Sequence, residues 1–360
     1  MVQLPPEIYS AIVSYASTRD LLVLSRTSKA FQRAAEPKLY ESMVLRDAQS
    51  IFLGCHAILA RDGFRGPYVR RMFIYQDARR ATARNNLAAA PPQFWYVIQD
   101  ALTKTSHLET LLIHDPTTSH SWILNSDHFK FQLREATLRL PWDSHMVSFL
   151  QRQHKLLTLT TADIQEDEDD RRVGSLPPTA LPILEVFSGP VLVVAELLGS
   201  PLKRIQVTVD ENTAPLVPTI VADLGKIMKT LRTLSILGLP EDFVLDTVHM
   251  LANSVLASEM RYLGILRLPM MREWDRLQRY LMKLSALVMI EIEVTHWNPA
   301  PNEGLQRMIL HELRLFCPTL QQIVFWHLMQ RFHWYSRDGQ WYCMHTTGRH
   351  VVHDNHWRTV

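Results

Sequence analysis

Only three cysteines stand in 360 residues, Cys55, Cys317 and Cys343, and they are far apart. A disulfide framework needs paired thiols and an oxidising compartment, so a cytoplasmic or nuclear location is the expectation. Glycine is scarce too, with 12 residues, and no glycine-rich loop exists to cradle a phosphate. The chain has no G-x-x-x-x-G-K-[ST] loop, G-x-S-x-G elbow, H-E-x-x-H helix or C-x-x-C pair. No catalytic residue and no cofactor is read from it. The longest apolar run, near Val191 to Leu198, is too short to span a bilayer and contains Glu196. Met1 is not followed by a basic segment and an apolar run, so no secretory signal is read and no membrane partner is expected. Neither sign of charge dominates: 38 basic residues face 36 acidic ones. Without a basic arm, nucleic acid is not an expected partner.

What is present is organised. A chain of this length exceeds one ordinary core, so a small module plus a larger domain is expected. At the start, Pro5 and Pro6 lack an N–H and suit a helix entrance, and Glu7 suits its first turn. Ile8, Ile12 and Tyr15 follow as one helical stripe. Ser17 and Asp20 have the spacing of a capping box for a second helix, crowded by Leu21, Leu22, Val23 and Leu24. Ser28 is a candidate N-cap for a third helix carrying Phe31, Ala34 and Ala35 and stopping near Pro37.

This stretch resembles an F-box. The likeness lies in Leu4-Pro5-Pro6-Glu7, Asp20-Leu21-Leu22, Leu24-Ser25, Phe31 and Leu39-Tyr40. It departs at Ser17-Thr18-Arg19, where that family often has Leu-Asp-Pro. The resemblance implies docking to a Skp-type adaptor and, through it, to a cullin. Carried over residue by residue, the adaptor-binding positions are Leu4, Pro5, Ile8, Ile12, Leu21, Leu22 and Leu24.

Beyond the module a short apolar pattern recurs, with two spacers and then one. It reads Val69-Met72-Ile74, Leu108-Leu111-Ile113, Leu133-Ala136-Leu138, His154-Leu157-Leu159 and Leu181-Leu184-Val186. It continues as Leu202-Ile205-Val207, Leu231-Leu234-Ile236, Met260-Leu263-Ile265, Leu287-Ile290-Ile292 and Leu320-Ile323-Phe325. Apolar stripes of helical period lie between several of these, such as Phe94, Val97, Ile98, Ala101 and Leu102. Short strand and helix in alternation predict a leucine-rich-repeat-like solenoid with degenerate repeats. Glu166 to Arg172 predicts a charged solvated loop. Asp338-Gly339 between aromatic runs predicts a hairpin that caps the solenoid. His345, His350, His353 and His356 near Cys343 are the best metal candidates, but structural zinc usually wants clustered thiolates, so no metal site is assigned.

The predicted fold class is therefore mixed: a small all-α N-terminal module of three short helices at 1–48, a linker helix at 49–66, an α/β solenoid at 67–328, and a hairpin and tail at 329–360. On the solenoid, residues alternating with the buried positions face outward and are candidates to bind an unknown protein substrate. They are Arg71, Tyr75, His114, Arg139, Arg204, Gln206, Glu291, Glu293 and Trp326. The layout as a whole resembles the fungal set of F-box proteins, which implies a non-catalytic substrate receptor of an SCF-type ubiquitin ligase. A repeat scaffold unconnected with ubiquitin is the alternative.

Overall fold

Helix α1 (Pro6–Tyr15) starts where Pro5 and Pro6 give up no hydrogen bond that the first turn could have made. Helix α2 (Thr18–Thr27) starts at the expected capping box: the Asp20 amide donates to Ser17 Oγ and the Ser17 amide to Asp20 Oδ2, both at 3.3 Å. Ser28 caps α3 (Lys29–Glu41) by accepting from the Phe31 amide at 3.2 Å. The three helices share a core of Val13, Leu21 and Ala35, with Phe31, Ala34 and Leu39 packed around it. Lys38 closes the end of α1, its Nζ donating to the carbonyls of Val13 and Ser14 at 3.1 and 2.6 Å. The expected stop near Pro37 does not occur, and α3 continues through it to Glu41. Proline costs one i−4 bond. The turn beyond it packs Leu39 into the core and sets the Tyr40 ring 5.0 Å from the Arg65 guanidinium.

The computed structural model describes residues 5–82, 85–161, 175–269, 273–347 and 356–360. The chain forms two units, Met1–Leu176 and Pro177–Val360. In the first, the helical module leads into β1 (Ser42–Leu45), α4 (Ala48–Gly63), β2 (Arg71–Ile74), α5 (Pro92–Lys104), β3 (Thr110–His114), β4 (Glu135–Arg139), α6 (Ser144–Gln151) and β5 (Thr158–Thr161). Each strand pairs in parallel with the next. The sheet begins with β1 at Ser42, which pairs with β2, and α4 packs against β1. The α4 backbone leaves the helix at Ala60, and Arg61 and Asp62 are left-handed.

The second unit contains β6 (Val186–Pro190), α7 (Val191–Glu196), β7 (Arg204–Thr208), α8 (Val217–Ile227), β8 (Thr233–Leu237), α9 (Glu241–Ala252) and β9 (Tyr262–Arg267). It continues with α10 (Trp274–Leu281), β10 (Met289–Glu293), α11 (Glu303–Phe316), β11 (Gln322–His327), β12 (Gln330–Arg337), β13 (Gln340–Thr347) and α12 (His356–Thr359). Strands β6 to β11 are parallel, and β12 and β13 run antiparallel as a hairpin about Asp338 and Gly339, both at positive φ.

In each unit one strand face is the apolar core. Met72, Leu111, Ala136 and Leu159 are in register in the first unit, and Phe187, Ile205, Leu234, Leu263, Ile290 and Ile323 in the second. That register corrects three expected triplets. They run Leu156-Leu159-Thr161, Leu184-Phe187-Gly189 and Met260-Leu263-Leu266, the last because β9 shifts by one residue against β10. Apolar residues are dense enough to offer several overlapping triplets, and only cross-strand pairing selects one. The charged segment, Glu166 to Arg172, lies outside the described residues.

Candidate docking surfaces

The opposite strand face carries the candidate target-binding residues. In the first unit Arg71 pairs with Glu41 at 3.4 Å, Tyr75 is half-buried, and His114 and Arg139 stand opposite each other on β3 and β4. Burial lowers the His114 pKa, and Arg139 lowers it further. At the start of these strands lies an open cleft of about 360 Å³. Its walls include Arg70, His107, Lys130, Arg134 and Lys155. Arg70 is paired with Glu109 at 2.6 Å, whereas no acid pairs with Lys130, Arg134 or Lys155 among the described residues.

In the second unit the face is a polar ladder that ends in an apolar seat. Ser188 donates to Gln206, at 3.2 Å, and Gln206 donates to Ser235, at 3.4 Å. Arg204 is half-buried beside them, and Glu293 pairs with Arg267 at 3.1 Å. Two expected surface residues, Glu291 and Trp326, are buried. The reason is α12, which packs against β7, β8 and β9 and sets Trp357 against Tyr262, Met289, Val324 and Trp326. Trp326 Nε1 donates to Glu291 Oε2 at 2.7 Å, and the Tyr262 hydroxyl also bonds this carboxylate. Burial pushes the Glu291 pKa up against the pull of these bonds and of Arg331.

Sequence reading missed Tyr262, Arg331, His333 and Trp357 at this place. Arg331 Nη2 lies 2.9 Å from His356 Nδ1, and His333 reaches Gln322 at 2.9 Å. Burial and the Arg331 charge hold both histidines at about 4. One signal was available: a glycine at 264 inside a strand marks a close approach. A Cβ there would lie 2.7 Å from the Tyr262 hydroxyl oxygen and 3.0 Å from Glu291 Cβ. Trp357 sits on the parallel strands. Of the histidine cluster, His345 stacks on Phe332 with centroids 4.4 Å apart, while His350 and His353 lie outside the described residues.

The N-terminal helices present the opposite situation, apolar side chains left largely open among the described residues. Ile8, Ile12 and Tyr15 of α1 and Leu22 and Val23 of α2 are all exposed, Tyr15 to 92%. Their neighbours Val13, Leu21 and Ala35 form the three-helix core, and these side chains stand outside it. Residues 1–46 match the family model described as F-box-like. This chain carries an F-box-like domain. No curated protein matches the chain.

Within the F-box-like domain the expected adaptor positions separate. Pro5, Ile8, Ile12 and Leu22 are exposed and Leu24 is half-buried. Leu21 is 2% exposed and belongs to the domain's own core, which removes it from the docking set. Leu4 lies outside the described residues. Tyr15 and Val23 are exposed as well. An open cleft of about 500 Å³ runs from Leu22 and Thr18 to Tyr40 and Val44. Glu36 and Arg65, paired at 2.8 Å, line it and tie α3 to the turn after α4.

Proposed function

We propose that the chain is a substrate receptor of an SCF-type cullin-RING ubiquitin ligase. The F-box-like domain docks to a Skp-type adaptor, and the strand-and-helix units, read as a degenerate leucine-rich-repeat-like solenoid ending in a hairpin cap, hold a target protein. The observation that carries this reading is the match at residues 1–46 together with the uncovered apolar set on α1 and α2. An exposed contiguous apolar surface on a folded module marks a missing partner.

The mechanism is positional and needs no bond chemistry from this chain. Holding a target at one end and the ligase at the other raises the local concentration of target lysines at the ubiquitin thioester. Ile8, Ile12 and Leu22 keep 40–50% of their surface exposed, so burying the remainder against an adaptor supplies about 1 kcal/mol apiece.

Co-purification of the tagged chain with its host's Skp-type adaptor tests this. The parent is expected to bring down stoichiometric adaptor, and an Ile8→Ser/Ile12→Ser/Leu22→Ser variant none. A well-folded parent that brings down no adaptor rejects the receptor reading.

A further inference from the structure

The second unit's strand face is built differently from the first unit's. In the first unit the residues turned away from the helices are mostly polar, such as Arg71, Thr110, Glu135 and Thr158, which suits contact with water. In the second, the corresponding places on β9, β10 and β11 hold Tyr262, Met289, Val324 and Trp326. Among the described residues, α12, a helix of four residues, lies on them with Val360, and Arg331 sits over the Trp326 ring. So short a helix has no stability of its own in water, and the strands must hold it.

Two adjacent residues of the helix contact the strands directly. Trp357 is 2% exposed in the apolar seat, and His356 meets Arg331 at 2.9 Å and lies 3.8 Å from the Glu291 carboxylate. The seat has a polar floor, where Glu291 accepts from Trp326 and Tyr262. Gly264 leaves the space into which the Tyr262 hydroxyl reaches. An aromatic flanked by a histidine and an arginine thus meets apolar walls over a carboxylate.

We propose that this face is a peptide groove whose seat takes one aromatic side chain, and that residues 356–360 occupy it as an internal stand-in for the target. The target segment is a polypeptide with an aromatic residue beside a basic one, and it binds by displacing Trp357. The proposal rests on the receptor reading only for the purpose of the groove, not for its existence.

The full-length parent, Trp357→Ala and Trp357→Phe are compared for binding a fluorescent peptide with the sequence of residues 353–360. An occupied seat lowers apparent affinity by the fraction of chains in which it is open. Trp357→Ala is expected to bind at least about tenfold more tightly than the parent, and Trp357→Phe to stay closed. The same peptide with alanine for tryptophan is expected not to bind. A folded Trp357→Ala chain that binds no peptide overturns the proposal. So does equal binding by all three chains, which places the peptide elsewhere. Loss of the cooperative fold in Trp357→Ala also overturns it, because the segment is then part of the core and not a ligand. Adaptor co-purification from the same samples reads separately: its failure in all three removes the receptor role and leaves the seat standing.

Discussion

Leu21 and Leu22 are adjacent in sequence and opposite in role. Leu21 packs with Val13 and Ala35, while Leu22 is half exposed at 50%. Truncating a buried leucine removes transfer energy and leaves a cavity, so Leu21→Ala is expected to cost about 2–5 kcal/mol. Leu22→Ser is expected to change stability by no more than about 0.5 kcal/mol, as surface changes do, while weakening adaptor capture. Thermal unfolding and adaptor pull-down on the two variants check both halves. The sequence could not make this distinction. Four consecutive apolar residues, Leu21 to Leu24, satisfy any helical face, and only the placement of α1 and α3 selects the inward one. Glu291 and Trp326 were illegible for a related reason. Alternation along a strand says which face a residue takes, not whether a segment some thirty or more residues later covers that face.

Strands and helices were more legible than single residues, and their errors have local causes. Ser17, Asp20 and Ser28 cap α2 and α3 as their side chains dictate. The end of α1 was not readable, because its carbonyls are closed by Lys38 from another helix. Lys38→Met is expected to lower the denaturant midpoint by the equivalent of about 0.5–1.5 kcal/mol without changing the slope. Strand β1 was hidden because its four residues directly follow a helix. Gly264 gives a sharper test of a strand. Gly→Ala inside a regular strand ordinarily stabilises by roughly 0.5–1 kcal/mol. Here the added Cβ meets the Tyr262 hydroxyl and Glu291, so Gly264→Ala is expected to destabilise by about 1–3 kcal/mol. Near-ultraviolet circular dichroism should report the displaced tyrosine. A stabilised variant would mean that the seat floor is looser than its geometry shows.

At the scale of the whole molecule, the parallel strands within each unit were legible from the recurring apolar triplets, although three of the triplets were placed out of register. The ionisable groups buried within that architecture left no such trace in the sequence, and they govern how the fold responds to acid. His333 and His356 are held at about 4 by burial and by Arg331, against an ordinary 6.5. Between those values the unfolded chain binds protons that the native chain refuses, so stability falls as pH drops through this range. Burial works against the charge on Glu36, Asp47 and Asp115, yet their hydrogen bonds and neighbouring cations hold each below the usual carboxylate range. Their contribution is lost only at lower pH, below about 4.5. Glu291 opposes the trend, since its raised pKa favours the native state as protons are added. The acid limb should therefore have two stages, a first decline from about pH 6.5 toward 4.5 set by the histidines and a steeper one below it. Urea midpoints taken from pH 7.5 to 4.5 are expected to fall in the parent and to flatten in His333→Gln/His356→Gln. An unchanged slope in that variant would show that His333 and His356 do not carry the first stage.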